Sequence, residues 1–283
     1  MENTADFQSY FWLRAPADAI TLKKEKKYGD LKTLFSTLAK SDNKIAQGLC
    51  CEKSEALKSD PHLTIFEQPR SLEENGVFRY QPIQDVEQLV NMTGIIQDVA
   101  ADYDPFKLGG RGMECLEKGT KFHLAFNFND EAVEKFQDFH RDLMDELSEE
   151  KVCDLYLQDR EPRILLSKAY KNRFKKHDLK AGQKSINEQF YKLRTKPIHF
   201  DRMILGQGFF DIHGHHLASR DISTVYFDER PFEWHCDDPF DKENNQSLIA
   251  DQKALREMPD LKYPNQIRAQ GQVNARPRPL LVS

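Results

Sequence analysis

The sequence predicts an α+β fold in which a mixed sheet is flanked by helices. Residues 121–128 alternate between apolar and polar side chains, which is typical of a half-buried strand. An apolar stripe at helical spacing follows from Val133 to Leu147, and a second apolar run covers 152–157. With 283 residues, of which 39% are hydrophobic and 31% charged, the chain can bury one large core. We therefore expect a single main domain with polar extensions at both ends.

The first half of the chain predicts helices around one short strand. A lysine cluster at 23–27 precedes apolar residues at helical spacing from Leu31 to Leu38, so we assign residues 1–60 to a helical docking or leader region. The run LTIFEQP, which ends at Pro69, predicts a strand. Apolar residues three and four positions apart predict a helix over 86–99.

The second half completes the predicted catalytic domain, 61–262. The charge-rich segment 160–196 predicts mixed helix and loop, residues 198–211 predict a strand pair with a glycine break, and residues 223–227 predict one more strand. The last stretch, QGQVNARPRPLLVS, has no periodicity, so we expect residues 263–283 to form a flexible tail.

Charge and cysteine content restrict the function classes. The net charge is −5 and basic residues are mixed with acidic ones, so we expect no nucleic-acid partner. The five cysteines lack CxxC spacing, which predicts neither a disulfide framework nor a cysteine zinc site and favours a reducing compartment. The mean hydropathy is −0.71, and no apolar run is long enough to predict a membrane span. The acidic first residues do not resemble a secretory signal peptide.

The stretch EKGTKFHLAFNFND carries the clearest chemistry. Lys121 and His123 lie two apart on a predicted strand and therefore share a face, and Lys151 precedes the next predicted strand. Neighbouring cations and partial burial lower the pKa of a lysine, so such a group could supply a base, an acid and an anion anchor without a metal. The alternative is a set of solvent-facing residues on a half-exposed sheet.

GTKFHLAF, followed by an amphipathic helix and then KVCD, resembles the bacterial effector phosphothreonine lyases. Their signature is a Gly-x-Lys-Phe-His strand, a helix and a Lys-Val-x-Asp-like segment about thirty residues later. The similarity covers residues 115–157, and SLIADQKALREMP at 247–259 is similar to a stretch near the family's C-terminus.

The resemblance implies a carbon–oxygen lyase that removes phosphate from phosphothreonine by β-elimination, without a cofactor or metal. Lys151 matches the lysine that takes the Cα proton, Lys121 the lysine that stabilises the enolate, and His123 the acid that protonates the departing phosphate. A positive charge at the carbonyl suits this chemistry, because the Cα proton is only weakly acidic.

The same resemblance implies the substrate-binding residues. Arg163 and Arg220 occupy places similar to phosphate-contacting arginines, and a guanidinium fork suits phosphate. Tyr170 and Tyr191 compete for the family's tyrosine role. The family's Gln-Phe-Thr-Leu-Tyr strand has only a partial counterpart in QFYKL at 189–193, which would imply an insertion.

The resemblance also implies a partner and a location. The expected partner is a phosphorylated protein such as a host kinase, captured through basic residues followed by aliphatic ones. The candidate docking segments are KKEKKYGDLKTLF near the N-terminus and RPRPLLV near the C-terminus. We expect secretion into a host cell by a leaderless route and activity in its reducing cytosol, or otherwise a cytoplasmic location.

Other readings remain open. His62-Leu63-Thr64 in a strand context, together with His123, is typical of two-histidine phosphoesterases acting on cyclic or 2′-linked phosphates, although Ala125 replaces the expected hydroxyl. The alternative is that His62 is an ordinary surface histidine beside Pro61.

The cluster DIHGHH could be a metal site, if His235 or Asp237 completes it, or a polar turn around Gly214. We expect no metal site. A non-catalytic interaction protein is the third alternative.

Overall fold

The computed structural model describes most of the chain from residue 85 onward and shorter segments before it. The described residues are 7–17, 21–24, 27–30, 45, 47, 49, 61–67, 70–72, 78–80, 83, 85–149, 161–171, 176–190, 194–195 and 197–257.

An eight-stranded sheet forms the centre of the fold, with strand order β15-β14-β13-β1-β4-β10-β9-β8. Its strands are β1 (Phe7–Pro16), β4 (His62–Glu67), β8 (Gly110–Lys118), β9 (Lys121–Phe128), β10 (Arg163–Tyr170), β13 (Arg202–Asp211), β14 (His216–Tyr226) and β15 (Glu233–Trp234). The remaining strands are β2 (Thr21–Lys24), β3 (Lys27–Asp30), β5 (Arg70–Leu72), β6 (Phe78–Tyr80), β7 (Phe106–Leu108), β11 (Arg194–Thr195) and β12 (Ile198–Phe200). They make three small sheets, β11-β2-β3, β12-β7 and β5-β6.

Four helices have described bounds: α1 (Val86–Ala101), α2 (Asp130–Glu149), α3 (Lys176–Phe190) and α4 (Lys242–Glu257). The predicted α+β class and single main domain are thus confirmed. No helix in the described ranges is long and apolar enough to cross a membrane.

The unit β9–α2 forms as the sequence pattern predicts. Phe122, Leu124 and Phe126 alternate along β9 and are fully buried. The side chain of Asn129 accepts a hydrogen bond from the backbone N–H of Ala132 at 2.9 Å, which caps the first turn of α2. The apolar stripe of α2 then packs into the same core as β9.

The expected β-α-β unit differs in the partner of its first strand. The neighbour of β9 is β10, which pairs with it in antiparallel fashion, as do all other strand pairs of the described sheet. The predicted strand 152–157, which would have made the sheet mixed, lies outside the described residues.

The strand β1 was not predicted within region 1–60, yet it occupies the middle of the sheet between β13 and β4. Its burial explains the omission. Phe11 and Leu13 are buried on one face, and Tyr10 and Trp12 on the other. Apolar residues therefore follow one another without a break, and the sequence lacks the alternation of apolar and polar residues that predicts a half-buried strand. The predicted tail, 263–283, lies outside the described residues.

Amide side chains from helices bond to backbone groups of the outer strand β8 and to the part of β14 that the two-residue strand β15 does not cover. At β8, the backbone N–H of Cys115 donates to Asn187 at 2.8 Å, and Gln183 donates to the carbonyl of Cys115 at 2.9 Å. At β14, the N–H of Ser219 donates to Gln252 at 3.2 Å, and Gln252 donates back to the carbonyl of Ser219 at 2.7 Å. Edge backbone groups that no strand pairs are thereby satisfied.

Candidate functional site

The candidate site lies in the large sheet, at the place where strand β4 adjoins strand β10. Strands β4 and β10 are joined through one described register pair, Leu63 with Ile164, and Ile164 also pairs with Phe126 of β9. These three side chains are buried in the main core and define the inner face of the sheet. The outer face is the opposite one, which carries the residues that precede and follow each of them.

The strand register places three side chains that could contact a phosphate group on the outer face of the sheet, where β4 adjoins β10. Because Leu63 opposes Ile164 in an antiparallel pair, Thr64 opposes Arg163 and His62 opposes Leu165. His62 and Thr64 are half-buried, whereas Arg163 is exposed and forms an ion pair with Glu161. A histidine, a hydroxyl and a guanidinium therefore occupy adjoining positions on two strands.

His123 and Lys121 lie on the same outer face, one strand further on. Both are half-buried, and the register opposes Lys168 to His123 and Tyr170 to Lys121. The prediction that Lys121 and His123 share a face is confirmed by the burial of the intervening Phe122.

The two candidate histidines are close enough to act on one ligand. Through β10, His62 aligns with Ala125, and His123 lies two residues further along β9. With strands about 4.8 Å apart and a rise of about 3.4 Å per residue, the Cα atoms of His62 and His123 are roughly 12 Å apart. Side chains that leave the same face from this separation can approach opposite sides of a phosphoryl group between them.

Arg220 is not part of this group. It lies on β14, and four strands separate β14 from β9 in the sheet, so the two are about 24 Å apart along the sheet. Its guanidinium is committed to a polar network: it donates to Gln207 at 2.7 and 3.0 Å, to the carbonyl of Pro239 at 2.9 Å and to Asn245 at 2.7 Å. The structure therefore does not bring Arg220 to the predicted phosphate site.

Burial dominates the electrostatics of that network. It lowers the pKa of the Arg220 guanidinium, while nearby anionic groups, namely Cys236 in its thiolate form, Asp238 and Asp241, act in the opposite direction. The acceptors Gln207 and Asn245 are themselves buried. Arg220 thus ties β13, β14, the loop at Pro239 and the first turn of α4 together.

Three predicted residues have no described side-chain geometry. Lys151, the predicted base, and Tyr191 lie outside the described residues, and Tyr170 is placed only by its register position on β10.

Arg14 was missed by sequence reasoning because β1 was not predicted. It opposes Thr64 from the side of β1, so Arg14 and Arg163 flank Thr64 across three neighbouring strands. The signal that could have found it is the aromatic and apolar run FQSYFWL, which has high strand propensity.

The histidine cluster forms a hairpin turn. The carboxylate of Asp211 accepts hydrogen bonds from the backbone N–H groups of His213 and His215 at 2.9 and 2.8 Å, and contacts Nδ1 of His215 at 2.9 Å. Burial alone would raise the pKa of Asp211, but the hydrogen bonds from His215 and His213 outweigh it and lower the pKa. Gly214 supplies the positive φ of 77° that the turn requires.

Within the part of the chain that the structure describes, no group of three His, Cys, Asp or Glu side chains could hold a metal ion. A cavity of about 630 Å³ lies elsewhere, between α2 and the small β12-β7 sheet, and none of the predicted site residues lines it. Its lining residues are Tyr103, Asp104, Pro105, Phe106, Lys107, Lys135, Asp138 and His199.

Neither a family model nor a curated protein sequence matches the chain.

Proposed function

We propose that the protein is a phosphoesterase that cleaves cyclic or 2′-linked phosphodiesters on the outer face of its sheet, with His62 and His123 as the acid–base pair. The observation that carries the proposal is the row Leu63–Ile164–Phe126. It supports a common outer face for His62, Thr64, Arg163 and His123 on three adjoining strands.

The roles follow from the side-chain chemistry. One imidazole takes a proton from water, whose oxygen forms a new bond to phosphorus, and the other protonates the ester oxygen as its bond to phosphorus breaks. Thr64 and Arg163 hold the phosphoryl oxygens, since a hydroxyl and a guanidinium both donate hydrogen bonds to them. Ala125 supplies no hydroxyl on β9, which leaves this task to Thr64 and Arg163.

The test is turnover of a 2′,3′-cyclic nucleotide and of a 2′-linked dinucleotide, with product masses recorded. Hydrolysis adds the elements of water to the substrate. We expect His62→Asn and His123→Asn each to lower kcat by about 10²–10⁴-fold, as is typical for loss of a general acid or base. His199→Asn is the matched control, because His199 is exposed on β12, outside the large sheet. Full activity in both single variants would refute the assignment.

A second candidate is the phosphothreonine lyase activity. The observation that favours it is the position of Lys121 beside His123, with Tyr170 opposite Lys121 and Arg163 further along the same strand. In this reaction Lys151 would remove the Cα proton, a Cα=Cβ double bond would form as the Cβ–O bond breaks, and His123 would protonate the departing phosphate.

The product masses separate the two candidates. A phosphothreonine peptide incubated in EDTA would lose the elements of phosphoric acid under a lyase, whereas a phosphatase would leave threonine. Lys151→Ala should abolish this loss if Lys151 is the base, and unchanged elimination in that variant would contradict its role. No mass change with any phosphopeptide would remove the lyase candidate.

A further inference from the structure

Arg14 is held rigidly beside the candidate site. Its Cζ atom lies over the Trp12 ring, 4.0 Å from the ring centroid, which is a cation–π contact. Trp12 is only 3% exposed, so this platform is fixed in place. A guanidinium donates hydrogen bonds through N–H groups that lie in its own plane, where they can meet the oxygens of a phosphate.

The platform depends on a glycine across the strand pair. Trp12 opposes Gly206, and a Cβ atom added at Gly206 would lie 2.1 Å from the Trp12 ring. The neighbouring pair repeats the arrangement, since Tyr10 opposes Gly208 and a Cβ there would also lie 2.1 Å from the Tyr10 ring. Only the first of these two rings carries Arg14.

The donors of Arg14 are only partly engaged by described residues. Nη2 forms an ion pair with Glu67 at 3.2 Å, and the side chains are 22% and 36% exposed. Nε is buried and has no hydrogen-bond partner among the described residues. A ligand oxygen would therefore meet the exposed part of the Arg14 side chain and not the buried Nε.

We propose that Arg14 is a second phosphate-binding side chain, which acts with Arg163 from the opposite side of Thr64 and is positioned by Trp12. The proposal rests on the proposed function for the location of the ligand, and it names the ligand chemistry of that site: a phosphate group bound between two arginines. Glu67 fixes the orientation of Arg14, and Trp12 acts through Arg14 as a positioning residue.

The experiment measures binding of inorganic phosphate to the full chain by calorimetry, without any turnover. Losing a charge-assisted hydrogen bond costs enough to weaken binding roughly tenfold to a hundredfold, so we expect this for Arg14→Gln. Arg14→Lys should recover only part of the affinity, because lysine keeps the charge and loses the planar fork. The thermal midpoint of each variant, measured in parallel, identifies any that has failed to fold.

Gly206→Ala and Gly208→Ala form a matched pair. Each inserts one methyl group under an aromatic ring of β1, but only Gly206→Ala displaces the ring that carries Arg14. We expect Gly206→Ala to weaken phosphate binding as Arg14→Gln does, and Gly208→Ala to leave it within about twofold of the unsubstituted chain. Equal losses in the two glycine variants would overturn the positioning role of Trp12.

The outcomes separate this proposal from the proposed function. Phosphate affinity that is unchanged in Arg14→Gln, or absent from the unsubstituted chain, overturns the role of Arg14. Phosphate binding that depends on Arg14 supports it, even if replacing His62 and His123 shows that the proposed reaction does not occur.

Discussion

Replacing Arg220 with alanine is expected to destabilise the fold and to leave ligand affinity unchanged. The guanidinium donates to Gln207, Pro239 and Asn245 within 3.0 Å. After its removal, the Pro239 carbonyl still accepts from Gln207 at 3.0 Å and from Asn245 at 3.1 Å. The side-chain oxygens of Gln207 and Asn245, however, are left buried without their donor.

The magnitude follows from those two acceptors. A buried polar group that loses its partner costs about 1–3 kcal/mol, so we expect the free energy of unfolding to fall by about 4 kcal/mol. For a chain of this length, that loss lowers the thermal midpoint by roughly 7 °C, at about 2.1 cal/mol/K of unfolding entropy per residue. Contacts of Arg220 with the Phe209 ring, at 5.6 Å, would be lost as well.

The assay is urea unfolding followed by circular dichroism, with phosphate binding measured on the same samples. Arg230→Ala is the control, because Arg230 is also paired, with Asp228, but lies on the surface. We expect the urea midpoint of Arg230→Ala to equal that of the unsubstituted chain. If Arg220→Ala unfolded at the same urea concentration as the unsubstituted chain but lost phosphate affinity, the structural role of Arg220 would be refuted. The phosphate-binding role that the sequence predicted would then be restored.

Two further predictions concern ionisable groups. Burial, reinforced by Glu114 and Glu117, raises the pKa of the Cys115 thiol to about 12, so iodoacetamide at pH 8 should label Cys115 only after the chain is unfolded in urea. If mass spectrometry showed that Cys115 of the native protein is labelled at the rate of a free thiol, this prediction would be contradicted. The pKa of Asp211 is lowered in the fold, so its carboxylate stabilises the hairpin above the ordinary aspartate pKa of about 4, and this contribution is lost as the pH falls through the lower folded value. Asp211→Asn should therefore cost a few tenths of a kcal/mol at pH 7 in urea unfolding and nothing near pH 2, and an equal cost at both pH values would count against the carboxylate.

Elements with a one-sided apolar pattern were predictable from the sequence. The strand β9 has the bounds that alternation predicted, Lys121–Phe128, and α1 begins at Val86 as its spacing predicted. In both cases one face packs into the core and the other meets polar surroundings, so the periodicity is visible in the residues themselves.

Elements buried on two sides, or polar along most of their length, were not predictable. The strand β1 is apolar on both faces, and the helix α4, Lys242–Glu257, has few core residues to mark its period. Strand order is harder still, because the pairing of β1 with β13 joins residues nearly two hundred positions apart.

For the candidate site, too, local spacing could be predicted from the sequence and long-range strand register could not. Two residues on one strand, Lys121 and His123, could be placed together from their spacing alone. The association of His62 with Arg163 and Arg14 depends on long-range register, which one sequence does not reveal. Arg220 was assigned to phosphate by local similarity, whereas its neighbours Gln207 and Asn245 come from distant segments.

The amide side chains at the two sheet borders have a consequence for how this molecule meets others. Asn187 and Gln183 use the same donor and acceptor positions of Cys115 that an incoming extended peptide would need, and Gln252 does so at Ser219. A second chain could extend the sheet at these points only by first displacing the amides. The protein can thus keep eight strands side by side without offering these two positions as templates for strand addition.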